Sequence, residues 1–137
     1  MPCRICDGAW PRKDHLIGVC GLTTAYLFED QFFPGWTVLA LNRHVRELYE
    51  LTQAERSGLM EEVASVARAL AEEYRPVKVN YGLLGNQVPH IHWHVIPRLA
   101  GDPAPFDAVW SVPHEARPLT EGELAATLAR LRARMWG

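Results

Sequence analysis

The stretch His90-Ile91-His92-Trp93-His94-Val95-Ile96-Pro97-Arg98 carries three imidazoles at two-residue spacing, half of the chain's six histidines. Imidazole titrates near neutral pH, so a row of such groups can donate, accept, ligate or attack. Successive side chains of a β-strand point to opposite faces, with about 3.3 Å of rise between them. Read as a strand over residues 90–97, the run lines up His90, His92 and His94 on one face and sends Ile91, Trp93 and Val95 into a core. A helix would scatter the three rings over a wide arc. The β-branched and aromatic residues suit a strand, and Pro97, with no N–H to give to a ladder, reads as its end. Two histidines at i, i+2 could chelate a catalytic zinc, but no His-Glu-x-x-His occurs and no acid falls within the run. Imidazole acting directly as nucleophile and proton donor is therefore preferred over a catalytic metal, and over three merely structural histidines.

A second set of chemically able residues opens the chain. Cys3-Arg4-Ile5-Cys6 has the spacing of a half-site for structural zinc, but two thiolates leave a tetrahedron half filled. No second Cys-x-x-Cys exists, so histidines must complete such a site; otherwise the pair is two exposed thiols. Cys20 has no partner and reads as a small buried apolar residue. Residues 22–30 read as a strand ending in two acids, Glu29 and Asp30, and residues 36–42 as an apolar strand entered through the turn at Pro34-Gly35.

The elements that must position these groups are legible from their periods and caps. Thr52-Gln-Ala-Glu55 is a capping box. Leu59, Val63, Val66, Leu70 and Tyr74 then form the stripe of a long amphipathic helix, which Arg75-Pro76 ends. A strand follows over residues 77–81, and Gly82 and Gly85 read as turn residues before the histidine strand. Residues 101–118 are loop-like. Thr120-Glu-Gly-Glu123 caps a shorter helix at about 120–136, striped by Leu124, Leu128, Leu131 and Met135, with Arg130, Arg132 and Arg134 towards its C-terminal end. The expectation is one α+β domain spanning 1–137, an antiparallel sheet of four to five strands with one long and one shorter helix.

Composition narrows the function classes. A chain of 137 residues with 48% apolar content buries its own core. A net charge of −2 without a basic block points away from nucleic acid and membrane surfaces. No stretch approaches the ~18 apolar residues of a membrane helix, and the first residues lack a signal peptide's layout. Three cysteines, an odd number, suit a reducing cytoplasm better than a disulfide framework.

The triad run, His90-x-His92-x-His94 followed by Val-Ile-Pro-Arg98, resembles the signature of the histidine triad superfamily of nucleotide hydrolases and transferases. Asn80-Tyr-Gly82-Leu-Leu-Gly85-Asn86-Gln87 resembles its approach segment, and the run from Pro34-Gly35-Trp36 to Arg43-His44 its earlier strand. The likeness extends from about Cys3 to Asp102 and is nearest to bacterial hydrolases of the diadenosine-polyphosphate type. It implies the family's fold, attack of His92 on an α-phosphorus, and a nucleotidyl-histidine that water resolves. It further implies that His94 binds the phosphoryl oxygens and helps to protonate the leaving group, with His90 completing the catalytic row. The implied substrate is a purine nucleotide, either a dinucleoside polyphosphate or a nucleoside phosphoramidate. Asp30 would take the ribose hydroxyls, while Asn80 and Gln87 would contact phosphate or leaving group; Lys78 and Arg98 rank lower. Structural zinc on the N-terminal segment (residues 1–8), through Cys3, Cys6, His44 and His90, is likewise implied, with no organic cofactor. If zinc holds His90, that residue orients the strand and does not act as an acid. So are a homodimer and a C-terminal segment that completes the pocket through Trp110 or Trp136. One position departs from the commonest pattern: Trp36 stands where many members have histidine, and an indole donates one hydrogen bond but neither accepts nor shuttles a proton. Two rivals stay open, a nucleotidylyltransferase using a phosphorylated acceptor and a zinc-stabilised nucleotide-binding module with little turnover.

Overall fold

The structure, a computed structural model, describes residues 2–136. Met1 and Gly137, the ends of the expected unit, lie outside the described residues. Helix α1 (Gln53–Tyr74) begins where its capping box places it: Glu55 N–H donates to Thr52 Oγ1 at 3.1 Å, and Thr52 N–H donates to Glu55 Oε1 at 3.0 Å. Arg75 ends it in the left-handed conformation, and Pro76 follows. Helix α2 (Glu121–Trp136) repeats the reciprocal cap between Thr120 and Glu123.

Five strands form one antiparallel sheet: β1 (Leu16–Val19), β2 (Thr23–Leu27), β3 (Thr37–Leu41), β4 (Lys78–Gly82) and β5 (His92–Arg98), in the order β1-β2-β3-β5-β4. The α1 stripe (Val63, Val66, Leu70) and Leu128 and Leu131 of α2 cover one sheet face over Leu27, Leu39 and Val95. Removing a fully buried leucine such as Leu70 would cost about 2–5 kcal/mol. Arg130 and Arg134 pair with Glu73 of α1, and Arg132 donates to the Leu16 and Ile17 carbonyls. These arginines tie α2 to its neighbours; of the three, only Arg134 lies in the last helical turn, where the dipole acts.

The opposite sheet face carries the histidines and a smaller cluster of Phe33, Trp36, Ile96 and Val109. Residues 99–118 strap across it. Arg98 secures the start: its guanidinium is buried, paired with Asp102 at 2.5 Å, and donates to the Ala104 and Asp107 carbonyls and to Asn80 Oδ1. Asp30 secures the far end, accepting from His114 Nε2 at 2.8 Å and from Arg117 N at 2.9 Å.

Several sequence expectations change. The histidine strand starts at His92 rather than residue 90, and Pro97 lies inside it, paired with Val79. Arg98 O accepts from Val77 N, so Arg98 turns its backbone groups towards β4 and Pro97 turns its nitrogen the other way. Pairing with β3 has already ended there, at Thr37↔Val95, so no N–H is needed. The strand of residues 22–30 stops at Leu27, before both acids. Gly82 is required for close approach rather than for a turn, since a Cβ there would lie 2.6 Å from Trp110 Cη2. Cys20 is only partly buried.

Candidate active site

His92 and His94 open onto a cavity of about 530 Å³, within the range of small-molecule sites. Its walls come from Arg4 and Trp10 of the N-terminal turn, Phe28 and Glu29 beyond β2, the loop of residues 84–88, and Trp110 of the strap. Trp10 arrives there because Ala9 N and Trp10 N both donate to Arg4 O, folding the chain back on itself. Its ring meets His92 edge-on at 5.2 Å, and its Nε1–H donates to both Glu29 oxygens, at 3.1 and 2.9 Å. Trp110 stands edge-on to His94 at 5.2 Å and to Trp36 at 5.7 Å.

Each histidine of the run has one nitrogen committed. His92 Nδ1–H donates to the His90 carbonyl at 2.7 Å, which leaves Nε2 with its lone pair. Trp36 Nε1–H donates to His94 Nδ1 at 2.9 Å; an indole only donates, so this nitrogen must accept, and the neutral ring carries its proton on Nε2. Burial lowers the pKa of His92 below its ordinary value. It pushes His94 down to about 4, with the neighbouring His92 adding to the shift. Both rings are therefore neutral at pH 7.

His90 is turned elsewhere. Its Nε2–H donates to Leu41 O at 2.8 Å, and its Nδ1 faces Cys3 Sγ at 3.4 Å, Cys6 Sγ at 3.5 Å and His44 Nδ1 at 3.2 Å. His44 Nδ1 lies 3.5 Å from Cys6 Sγ, and all four potential ligand atoms fall within 4.8 Å of one another. Zn–S bonds of ~2.3 Å and Zn–N bonds of ~2.0 Å at tetrahedral angles put ligand atoms about 3.3–3.8 Å apart. The residues fit a tetrahedral Cys₂His₂ metal, and the carbonyl bond on Nε2 fixes the His90 tautomer that ligation through Nδ1 requires.

The sequence grouped residues that the fold separates. His92, His94 and Gln87 line the cavity; Asp30 and Asn80 do not. Asp30 is consumed in anchoring the strap. Asn80 accepts from Arg98 and faces another cavity, of about 360 Å³, on the far side of Trp110. Glu29 is the carboxylate at the histidines. Sequence reasoning had Glu29 only as Asp30's neighbour, and it missed Arg4 and Trp10, whose placement depends on the Cys3–Cys6 turn. Of the two candidate tryptophans, Trp110 reaches the cavity; Trp136 packs against Gly18.

The HIT domain model matches residues 12–101. The chain belongs to the HIT family. The chain is 32% identical over 91 residues to the protein named hit of Bacillus subtilis, 63% of this chain and 62% of that one. To the bis(5'-nucleosyl)-tetraphosphatase (asymmetrical) of Schizosaccharomyces pombe it is 27% identical over 116 residues, 81% of this chain and 64% of that one. This HIT chain thus spans less than two thirds of the length of both. A solved histidine triad protein of Sinorhizobium meliloti superposes with a TM-score of 0.80 at 35% identity, covering 87% of each chain. The α+β architecture with its five-stranded antiparallel sheet is the HIT fold. The family match covers the two cavity histidines but neither the Cys-x-x-Cys turn nor Trp110, so two walls of the cavity lie outside it.

Proposed function

We propose that this HIT protein is a nucleotide hydrolase acting at the α-phosphate of purine nucleoside phosphates through a nucleotidyl-histidine. The observation that carries the reading is the His92 ring: Nδ1–H is tied to a backbone carbonyl, so Nε2 faces the cavity as a neutral, fixed nucleophile. His94 offers Nε2–H to the phosphoryl oxygens as they gain charge. Glu29 replaces Asp30 as the acceptor for the ribose hydroxyls, since it holds lone pairs beyond those used by Trp10. Gln87 contributes an amide donor to a phosphate oxygen.

Cys3, Cys6, His44 and His90 would hold zinc, which supplies no step of the reaction and braces the turn that carries Arg4 and Trp10. His90, facing this cluster, then positions the strand and is no acid. The homodimer implied by the resemblance would use β4, an edge strand of the sheet, where Tyr81 and the preceding Val77 are exposed. Sedimentation at micromolar concentration showing only the 15.5 kDa species would remove it.

The reading is tested by incubating the protein with diadenosine tetraphosphate, adenosine phosphoramidate and a nucleotide sugar, with and without a phosphorylated acceptor. The expected products from the tetraphosphate are AMP and ATP, formed with water alone. Turnover only with acceptor would make it a transferase. Tight nucleotide binding without turnover would make it a binding module.

A further inference from the structure

Trp36 is placed to decide what His94 can do. Both residues are buried, at 3% and 7% exposure, and the indole N–H points at His94 Nδ1 from 2.9 Å. A second proton on His94 would set one N–H against another, because the indole has no lone pair to offer in return. The rings packed around it bring an imidazolium no opposite charge: His92, Trp10, Phe28 and Trp110 stand around it. Among charged side chains, Arg4 and Glu29 line the cavity; Glu29 bonds Trp10, while His94 Nδ1 is taken by Trp36.

Resting on the hydrolase reading, we propose that Trp36 is a positioning residue that holds His94 as a neutral Nε2–H donor and so restricts the enzyme to nucleoside phosphoanhydrides, excluding phosphoramidates. The pKa of His94, pushed down to about 4, agrees with this assignment. In this proposal His94 does not protonate the leaving group. A neutral imidazole N–H is too weak an acid to surrender its proton, although it stabilises negative charge by hydrogen bonding.

The two half-reactions show why the leaving group must differ. The His92 Nε2 lone pair forms the N–P bond, and the bridging P–O bond breaks with its electron pair remaining on oxygen. A departing nucleoside polyphosphate accommodates that pair as a terminal phosphate oxygen, whose last proton dissociates near pH ~6, so no acid is needed. The His92 ring keeps its Nδ1 proton on the His90 carbonyl and carries the positive charge. Water then adds to phosphorus, the P–N pair returns to Nε2, and the surplus proton passes to solvent; His92 leaves as neutral imidazole. A phosphoramidate would instead break a P–N bond to an amine nitrogen. That pair cannot depart without a proton, and the neutral Nε2–H of His94 is too weak an acid to supply it.

Two measurements decide this. In ¹⁵N-labelled protein, long-range imidazole NMR should show His94 as the Nε2–H tautomer at neutral pH; an Nδ1–H or doubly protonated ring would overturn the lock, whatever the activity. In kinetics, wild type should hydrolyse diadenosine tetraphosphate and adenosine aryl phosphates, with kcat/KM falling steeply as the phenol pKa rises, and should hydrolyse adenosine phosphoramidate at least ~10²-fold more slowly. The imidazole introduced by Trp36→His can accept from Nδ1–H, so its preference should narrow by ~10-fold or more with a flatter dependence on phenol pKa. Trp36→Phe keeps the bulk without the donor and should lose the tautomer signal. Equal wild-type rates on both classes, or an unchanged preference in a folded Trp36→His, would overturn the proposal. No turnover on either class would overturn the hydrolase reading and the preference with it, while the NMR result still judges the lock.

Discussion

His90 and the pair His92–His94 are neighbours in one run, yet the fold puts them in different regions with different chemistry. In the N-terminal cluster, His90 spends Nε2 on the Leu41 carbonyl and presents Nδ1 to two cysteines and His44. In the cavity, His92 spends Nδ1 on a carbonyl and presents Nε2, while His94 receives an indole N–H on Nδ1 and presents Nε2–H. Residue type and spacing are the same. What differs is which nitrogen a fixed partner consumes, and in the proposed reading that gives one ring to ligation, one to attack and one to donation. The backbone contributes as well: His90 precedes the regular strand, so its ring escapes the alternation that aims the other two into the cavity.

The comparison breaks most visibly at the nucleophile. His92→Ala should reduce turnover by at least ~10³-fold with nucleotide affinity largely retained, because a covalent step is lost and not a binding contact. His94→Ala should cost about 10²-fold, as expected for one donor to a developing oxyanion. Steady-state kinetics beside calorimetric nucleotide binding checks both; equal losses would erase the distinction between the two rings.

The cluster should respond in stability before chemistry. Protein purified without chelator should contain about one zinc per chain, and Cys3→Ser should lower the melting temperature by at least about 5 °C. The measurements are metal analysis and calorimetry. Absence of metal together with freely reactive Cys3 and Cys6 thiols would make the cluster a packing feature only.

Much of this division was legible in the sequence. The capping boxes and stripes located both helices, and the paired glycine and histidine motifs carried the fold. The Cys3, Cys6, His44 and His90 set assembled across more than eighty residues of separation. What was not legible depends on long-range hydrogen bonds. Glu29 and Asp30 are adjacent acids, and only the strap's return, with His114 and Arg117 bound to Asp30, decides which one is left for the cavity. Arg98 read as a charge at the end of a strand; its burial follows from a loop of residues 99–108 that closes over it. The Trp36–His94 bond joins β5 to the residue just before β3, and no local pattern gives the register of those two strands.

Smaller effects sharpen the remaining contrasts. Glu29→Gln should raise KM for a ribonucleotide by about 10-fold and change it less for the 2'-deoxy analogue, since only the ribose offers a vicinal diol. Asp30→Asn should loosen the strap without that discrimination. The strap itself should be pH-dependent. His114 gives both nitrogens to acceptors, Val112 O and Asp30, and its pKa is raised above 6.5, chiefly by the Asp30 bond. Its stabilisation is therefore complete below 6.5 and is lost as pH rises through the raised value. Asp30 lies below 3.8 although burial opposes this, because Arg117, Phe32 and His114 donate to it; its share is present above 3.8 and lost as pH falls through the lowered value. Protection factors of residues 99–118, exchange corrected for its intrinsic pH dependence, should be greatest between those limits and should fall on the alkaline side. In His114→Ala the alkaline loss of protection should vanish.

The most direct test is to quench the reaction with labelled diadenosine tetraphosphate in alkali, where a phosphoramidate bond survives, and map the nucleotidyl group by mass spectrometry. The account predicts one adenylyl group, on His92, which is lost in mild acid and absent from His92→Ala. A label on His90, His94 or another residue, or wild-type turnover in His92→Ala, would contradict it.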